Sequence, residues 1–404
     1  MANETLQAGI EIGSSHIKCA IGRVTGETIN VLGYSSMPCK GIREGNVVNI
    51  TQTVETIREV VEKAESQAKQ SVNYLNLGLH GLHISSQNHR GAIGILSQDK
   101  EIGFQDIKQV LESARAFQRP MDRQIIHTIP QEYIVDHQEG VIDPMGMVAN
   151  HLQVEVHIVT AISSALINLK KCVEKASFEI NNVILSSLAA AEVVLSEEER
   201  DIGCLLIDLG GKLCEVSYYR KGAIRGFRTI KNGSDYITSD IAHFLKTSLD
   251  EAMRIKEDFG FATPAHIPKE GKVTITKIDG VTREDIAIKE ISKMLGSRLS
   301  DIFEQVNESL AAFEINPELI ASCVVTGGGA SLPGIAEYVE EKTGIVTRMG
   351  LVRNCIGDNA VIGGPSYTSV LGLLKYDAAK EVPTPRGRSG PRRKGLIEIL
   401  KKIF

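Results

Sequence analysis

The same arrangement of chemically capable residues occurs twice in this chain. Ile10-Glu11-Ile12-Gly13-Ser14-Ser15-His16-Ile17-Lys18 and Ile207-Asp208-Leu209-Gly210-Gly211-Lys212-Leu213-Cys214-Glu215 each read as an apolar run ending in an acid, a small-residue turn and a second apolar run. Glu11 and Asp208 lie 197 positions apart. A carboxylate at a strand end can hold a divalent ion through water. A glycine turn, read here as reaching φ > 0, brings backbone N–H groups close to an anion. One apolar-Asp-x-Gly-Gly segment is also an ordinary hairpin. Two of them opening two halves of one chain point to a clamp on a phosphate tail. A third cluster, Thr326-Gly327-Gly328-Gly329-Ala330, offers bare backbone on which a flat ring or a ribose can lie.

Composition bounds what these turns can serve. At 404 residues the chain exceeds what one core supports, so two or more domains are expected. Net charge is −5, which argues against nucleic acid as the main partner. Seven scattered cysteines, none spaced as C-x-x-C, argue against a disulfide framework or a thiolate zinc site and fit a reducing cytosol. The opening Met1-Ala2-Asn3-Glu4-Thr5 lacks the pattern of a secretory signal, and no run approaches ~20 apolar residues.

The elements that must position the turns repeat as well. Ile17–Thr25 and Thr28–Met37 read as strands around Gly26-Glu27 and complete a three-stranded meander. Residues 51–69 read as an amphipathic helix with Val54, Ile57, Val60, Val61 and Ala64 on one stripe, followed by a strand at Leu75–Leu79. Cys204–Leu209, Leu213–Tyr219 and Ala223–Thr229 form a second meander, with helices expected at Thr238–Thr247, Asp250–Phe259, from near Ile286, and at Ile335–Lys342. A duplicated meander with helices implies two related α/β domains flanking a cleft. Strands at Gly91–Leu96, Gln124–Ile129 and Gln153–Val159 mark an insertion in the first half. From Glu381 the chain turns Pro- and Gly-rich, with Arg386, Arg388, Arg392, Arg393 and Lys394, and then closes on Gly395–Phe404. At ~100° per residue, Leu396, Ile397, Ile399, Leu400, Ile403 and Phe404 share one arc, opposite Glu398, Lys401 and Lys402. That is the pattern of a helix lying on a membrane surface.

In their order, the two acid–glycine turns and Thr326-Gly-Gly-Gly-Ala330 resemble the actin/sugar kinase/heat-shock-70 superfamily. His83-Ile-Ser-Ser-Gln-Asn88, Ile129-Pro-Gln-Glu-Tyr133, Thr238-Ser-Asp-Ile-Ala242, Ser369-Val-Leu-Gly-Leu-Leu374 and the basic linker with its terminal helix resemble, within it, the FtsA family of bacterial cell-division proteins. The resemblance implies an α/β, actin-like (ribonuclease-H-like) two-domain ATPase fold. Its parts would be subdomain 1A (1–83), an inserted 1C (84–164), a return to 1A with a connecting helix (165–200), 2A (201–234 and 311–376), 2B (235–310), a linker (377–394) and the membrane helix (395–404). It implies ATP held by Gly13, Ser14, Ser15 and Lys18 on one side and by Asp208, Gly210, Gly211, Lys212 and Gly233 on the other. Lys256 and Gly327, Gly328 and Gly329 would flank the nucleoside, and Glu11 and Asp208 would hold Mg²⁺ through water. It further implies self-association into protofilaments, contact with other division proteins, binding of the FtsZ C-terminal tail at Arg298, and anionic inner-membrane lipids at the septum as the final partner.

Departures from the superfamily pattern bear on turnover. Glu11 replaces the usual Asp, Lys212 replaces a third glycine, and Ser186 stands where hydrolytic relatives place a water-activating Glu. Phosphoryl transfer without a positioned base loses a main catalytic part, so hydrolysis is expected to be slow at most. A sugar-kinase-type phosphotransferase remains an alternative, although no substrate-facing Asp stands beside a second Gly-rich loop. A shape-determining or pilus-type adaptor is the other. A heat-shock-70-type chaperone is excluded, because only about 30 residues follow Leu374, too few for a β-rich peptide-binding domain.

Overall fold

In the computed structural model, which describes residues 4–117, 120–268, 271–313 and 315–376, the first glycine turn joins β1 (Thr5–Ile12) to β2 (His16–Thr25). Gly26, at φ 58°, then turns the chain into β3 (Thr28–Pro38). A small hairpin, β4 (Ile42–Arg43) and β5 (Asn46–Val47), leads to α1 (Ile50–Ala68), whose first turn is capped by the Asn49 side chain. Ile57, Val60, Val61 and Ala64 of its expected stripe are buried, Val54 is half-buried, and Thr53 joins the stripe instead. β6 (Tyr74–Leu79) then lies parallel to β1.

β7 (Ile84–Gly94), α2 (Phe104–Arg115), β8 (Arg123–Val135), β9 (Gln138–Val141) and β10 (His151–Ile162) follow. They form a sheet of order β7-β10-β8-β9. Much of this segment, Gln87–Pro120 and His127–Ile158, makes a compact unit of its own. Its strands are longer than expected. Pro130 is the natural stop for a strand read from Gln124, yet β8 continues to Val135. β9 pairs with β8 only over Tyr133 to Val135, so at Pro130 the missing N–H faces no β9 ladder. α2 was not expected, although Ile107, Val110, Leu111 and Ala114 carry its stripe and are all buried.

The larger unit resumes with α3 (Ser163–Lys175), β11 (Glu179–Leu185), α4 (Ser186–Val194) and α5 (Glu197–Ile202). The second meander is β12 (Cys204–Leu209), β13 (Cys214–Arg220) and β14 (Ala223–Ile230). After it come α6 (Ser234–Leu245), α7 (Leu249–Phe259), the hairpin β15 (Lys272–Thr276) and β16 (Arg283–Ala287), and α8 (Ile288–Ala312). The chain closes with β17 (Ser322–Thr326), α9 (Ile335–Thr343), β18 (Thr347–Met349), β19 (Cys355–Ile356), α10 (Asn359–Ile362) and α11 (Thr368–Lys375).

The duplication extends to the sheets, apart from β19, which pairs with β3 and has no counterpart in the second. One runs β11-β6-β1-β2-β3-β19 and the other β14-β13-β12-β17-β18, so three antiparallel strands followed by two parallel ones recur in the same order. Two helix starts differ from expectation. α6 begins at Ser234 rather than Thr238, because the Ser234 and Asp235 amides donate to the Gly210 and Gly211 carbonyls at 2.9 and 2.7 Å and draw the helix back to the turn. α8 begins at Ile288, since Ile286 belongs to β16. α4 and α11 cross where Gly372 meets Ala189, so closely that a Cβ on Gly372 would collide with the Ala189 carbonyl. No helix among the described residues is long and apolar enough to cross a membrane. The linker and the expected helix at 395–404 lie outside the described residues.

Candidate functional site

The two glycine turns are built alike at the level of single hydrogen bonds. The Gly13 amide donates to the His16 carbonyl at 2.9 Å, and the Gly210 amide to the Leu213 carbonyl at 3.0 Å. A Cβ on either glycine would press on that same carbonyl. None of Gly13, Gly210 and Gly211 has positive φ, which corrects the expectation: these positions need glycine for space, not for left-handed backbone. Gly327, at φ 86°, is the one that needs both, because a Cβ there would collide with the Asp208 carboxylate.

Strand register sets the charges. Glu11 stands opposite Lys18 and Asp208 opposite Glu215, so equivalent positions of the two hairpins carry a cation in one half and an acid in the other. Lys18 Nζ lies 3.7 Å from Glu11, donates to the Ser366 carbonyl at 2.5 Å and sits 5.7 Å from the Tyr367 ring centroid. Burial and then the neighbouring Glu11 charge push the Asp208 pKa above the ordinary aspartate value, against a 2.9 Å hydrogen bond from Ser369. Burial, with Asp208 and Glu11 nearby, raises Glu215 well above the usual carboxylate range, and its Oε1 has no partner among the described residues. Buried carboxylates gathered around one lysine suit a hydrated divalent ion, which keeps several waters and asks for few protein ligands. Among the described residues no group of three His, Cys, Asp or Glu could hold a metal directly. Glu11 and Asp208, near the ends of β1 and β12, are the carboxylates that could hold such an ion through water.

Around the turns, Ser14 Oγ accepts from the Gly45 amide at 3.0 Å, and Ser15 Oγ donates to the Asp235 carboxylate. Lys212 Nζ lies 3.5 Å from Asp235. Gly233 precedes α6 as its cap residue. Lys256 reaches the Ser234 carbonyl at 3.4 Å, and burial lowers its pKa. In the third cluster Gly329 is filled in by Leu209, 2.6 Å from where a Cβ would stand. Gly328 faces open space, with Ser366 Oγ nearest at 3.8 Å. Ser186 opens α4 with its Oγ buried and without a partner among the described residues. His83 is buried with both ring nitrogens unpartnered among the described residues, and burial lowers its pKa to about 4.

Sequence reading missed three residues here: Asp235, Tyr236 and Ser369. Asp235 was legible only as the acid two residues after Gly233. Arg298, which the resemblance implies for the FtsZ tail, grips Asp240 with Nε at 2.6 Å and Nη2 at 3.0 Å and lies 5.8 Å from the Tyr236 ring centroid. The six apolar residues of the expected tail helix, Leu396 to Phe404, lie outside the described residues.

Two family models match the chain, "SHS2 domain inserted in FTSA" over residues 81–160 and "Cell division protein FtsA" over residues 205–372. The cell division protein FtsA of Pseudomonas aeruginosa is 31% identical over 92% of this chain and 89% of its own length. The chain belongs to the FtsA family of cell-division proteins. The FtsA of Neisseria meningitidis serogroup B is 33% identical over 98% of this chain and 96% of its own. That of Bacillus subtilis (strain 168) is 30% identical over 92% and 81%.

The actin-like fold expected for an FtsA relative is also seen among solved structures. A chain of a PilM-PilN type IV pilus biogenesis complex aligns with a TM-score of 0.66 at 16% identity, covering 94% of this chain and 99% of its own. MreB5 of Spiroplasma citri bound to ADP aligns with a TM-score of 0.55 at 14% identity over 93% and 97%. At such identities the likeness establishes the fold alone. The SHS2 match falls on the segment expected as the FtsA-type insertion, and β7 to β10 with α2 are that domain.

Proposed function

We propose that this FtsA-family protein is a nucleotide-clamping, self-associating adaptor of the division ring. It binds ATP between its two glycine turns, receives the FtsZ C-terminal tail on residues 235–310, and is held on the inner face of the plasma membrane at the septum by residues 395–404. The observation that carries the nucleotide reading is the duplicated turn. Gly13 with Glu11 and Gly210 with Asp208 share register and hydrogen bonding, and Gly327 to Gly329 close the third side. Ser14, Ser15, Lys18, Gly211, Lys212, Gly233 and Lys256 complete the binding set, with Mg²⁺ held through water by Glu11 and Asp208. The MreB5 structure of like fold is bound to ADP, which supports the same ligand class.

With Ser186 in place of a base, turnover is well below the ~1–100 s⁻¹ of kinases, and nucleotide acts by selecting a closure that favours self-association. The test uses Gly328→Val. No protein atom comes within 3.4 Å of a Cβ there, and φ is not positive, so the protein leaves room for a branch point that a nucleoside resting on Gly328 would meet. Equilibrium titration is expected to show ATP affinity lost by tenfold or more at unchanged melting temperature. Unchanged ATP affinity overturns the assignment.

A further inference from the structure

Asp235 stands where this cleft would be expected to hold an anion. Its carboxylate accepts a hydrogen bond from Ser15 of the first glycine turn and lies 3.5 Å from Lys212 Nζ of the second. A Cβ added to Gly211 would come within 2.9 Å of both its oxygens and would also meet Ser15 Oγ. The charge is felt by His16 and by Lys256 as well. Ser15 and Lys212 are among the groups assigned above to the nucleotide, so one side chain holds two of the donors that a phosphate needs.

An acid in the first turn of a helix is commonly there to favour the helix dipole. α6 does have Asp235 in its first turn, but its end carries no side-chain cap, and the Asp235 amide is used on the Gly211 carbonyl at 2.7 Å. The carboxylate itself accepts from a residue 220 positions earlier in the chain. The bond from Ser15 ties the first hairpin to α6, and the Asp235 amide and the Lys212 ion pair tie α6 to the second.

We infer that Asp235 is an internal stand-in for phosphate, which bridges the two glycine turns through Ser15 and Lys212 and competes with an incoming nucleotide phosphate for both groups. The inference rests on the nucleotide reading and sharpens it: the selective ligand is one whose phosphate charge exceeds what the single carboxylate supplies. Adenosine, with no phosphate, does not compete. ATP does, and releases Asp235 for new contacts as it binds.

The experiment is equilibrium titration of the full-length protein with ATP and with adenosine, comparing wild type, Asp235→Asn, Asp235→Ala and Lys212→Met. Removing the competing charge should tighten ATP by up to about fivefold, the scale of a partly exposed ion pair, and leave adenosine unchanged. Lys212→Met should weaken ATP, and combined with Asp235→Asn it should erase the gain. Melting temperature without nucleotide should fall in both Asp235 variants, while its rise on adding ATP grows. ATP affinity that is unchanged or weaker in Asp235→Asn and Asp235→Ala, with wild type binding normally, overturns the stand-in and leaves the nucleotide reading in place. Failure of wild type and variants alike to bind ATP overturns both.

Discussion

Lys212 and Arg298 share one aromatic ring: Lys212 Nζ lies 5.9 Å, and the Arg298 guanidinium carbon 5.8 Å, from the centroid of Tyr236. A cation over a ring is held by its quadrupole, so Tyr236 links the second glycine turn to α8. On α8 Arg298 is also forked onto Asp240 of α6, both side chains being about a quarter exposed. Arg298 is therefore structural before it is anything else.

That makes the usual charge reversal at Arg298 uninformative by itself. Arg298→Ala should lower stability by roughly 1–2 kcal/mol, the range of a charge-assisted hydrogen bond with some exposure. The exchange Arg298→Asp with Asp240→Arg should recover most of the melting temperature. Under the proposed role in FtsZ-tail recognition, fluorescence anisotropy should show tail binding lost in the exchanged protein although its stability returns. Tail binding that survives the exchange removes Arg298 from the recognition surface.

Glu199 supplies a pH-dependent term. Burial works to raise its carboxyl, but the Arg348 fork at 2.7 and 2.8 Å and the Ser196 amide at 2.7 Å outweigh it and hold the pKa below the ordinary value of 4.5. A depressed acid stabilises the fold at pH above its unfolded value, and that contribution disappears as pH falls through the folded one. Glu199→Gln should therefore cost roughly 1–3 kcal/mol at pH 7. Denaturant unfolding from pH 7 to pH 3 should show the gap to wild type closing on the acid side.

Two helical glycines should respond with opposite signs. Gly372→Ala drives a methyl into the Ala189 carbonyl at the α4–α11 crossing and should cost at least about 2 kcal/mol. Gly296→Ala in α8 meets nothing within 4 Å and should stabilise by about 0.5–1 kcal/mol, since alanine restricts the unfolded chain and favours the helix. Thermal denaturation of the two variants side by side checks both.

The tail can be tested apart from the body. Six apolar side chains entering the headgroup boundary contribute several kcal/mol, and each nearby Arg or Lys about 1 kcal/mol on an anionic leaflet. If residues 395–404 anchor as proposed, ordering them as a helix offsets much of this, so single copies should bind weakly and assembled ones tightly. Leu400→Glu should abolish co-sedimentation with anionic vesicles while ATP binding is unchanged. Retained sedimentation refutes the anchor.

What the chain alone determined is local. Apolar runs ending in Glu11 and Asp208, the glycines after them and the Gly26 and Gly222 turns specify two meanders, because turn geometry and the two-residue strand period depend on near neighbours. The helical stripe from Ile57 to Ala64 is legible for the same reason. Tertiary structure decided the rest. β8 passes through Pro130 because of where its neighbours pair, which no local rule contains. Arg298 finds its partner only where α6 brings Asp240 to it, and Asp235, ahead of the helix read from Thr238, meets Ser15 only in the folded chain. These contacts span 58 and 220 positions, and a pairing at that separation is set by how whole sheets and helices pack, not by the residues beside it in the chain.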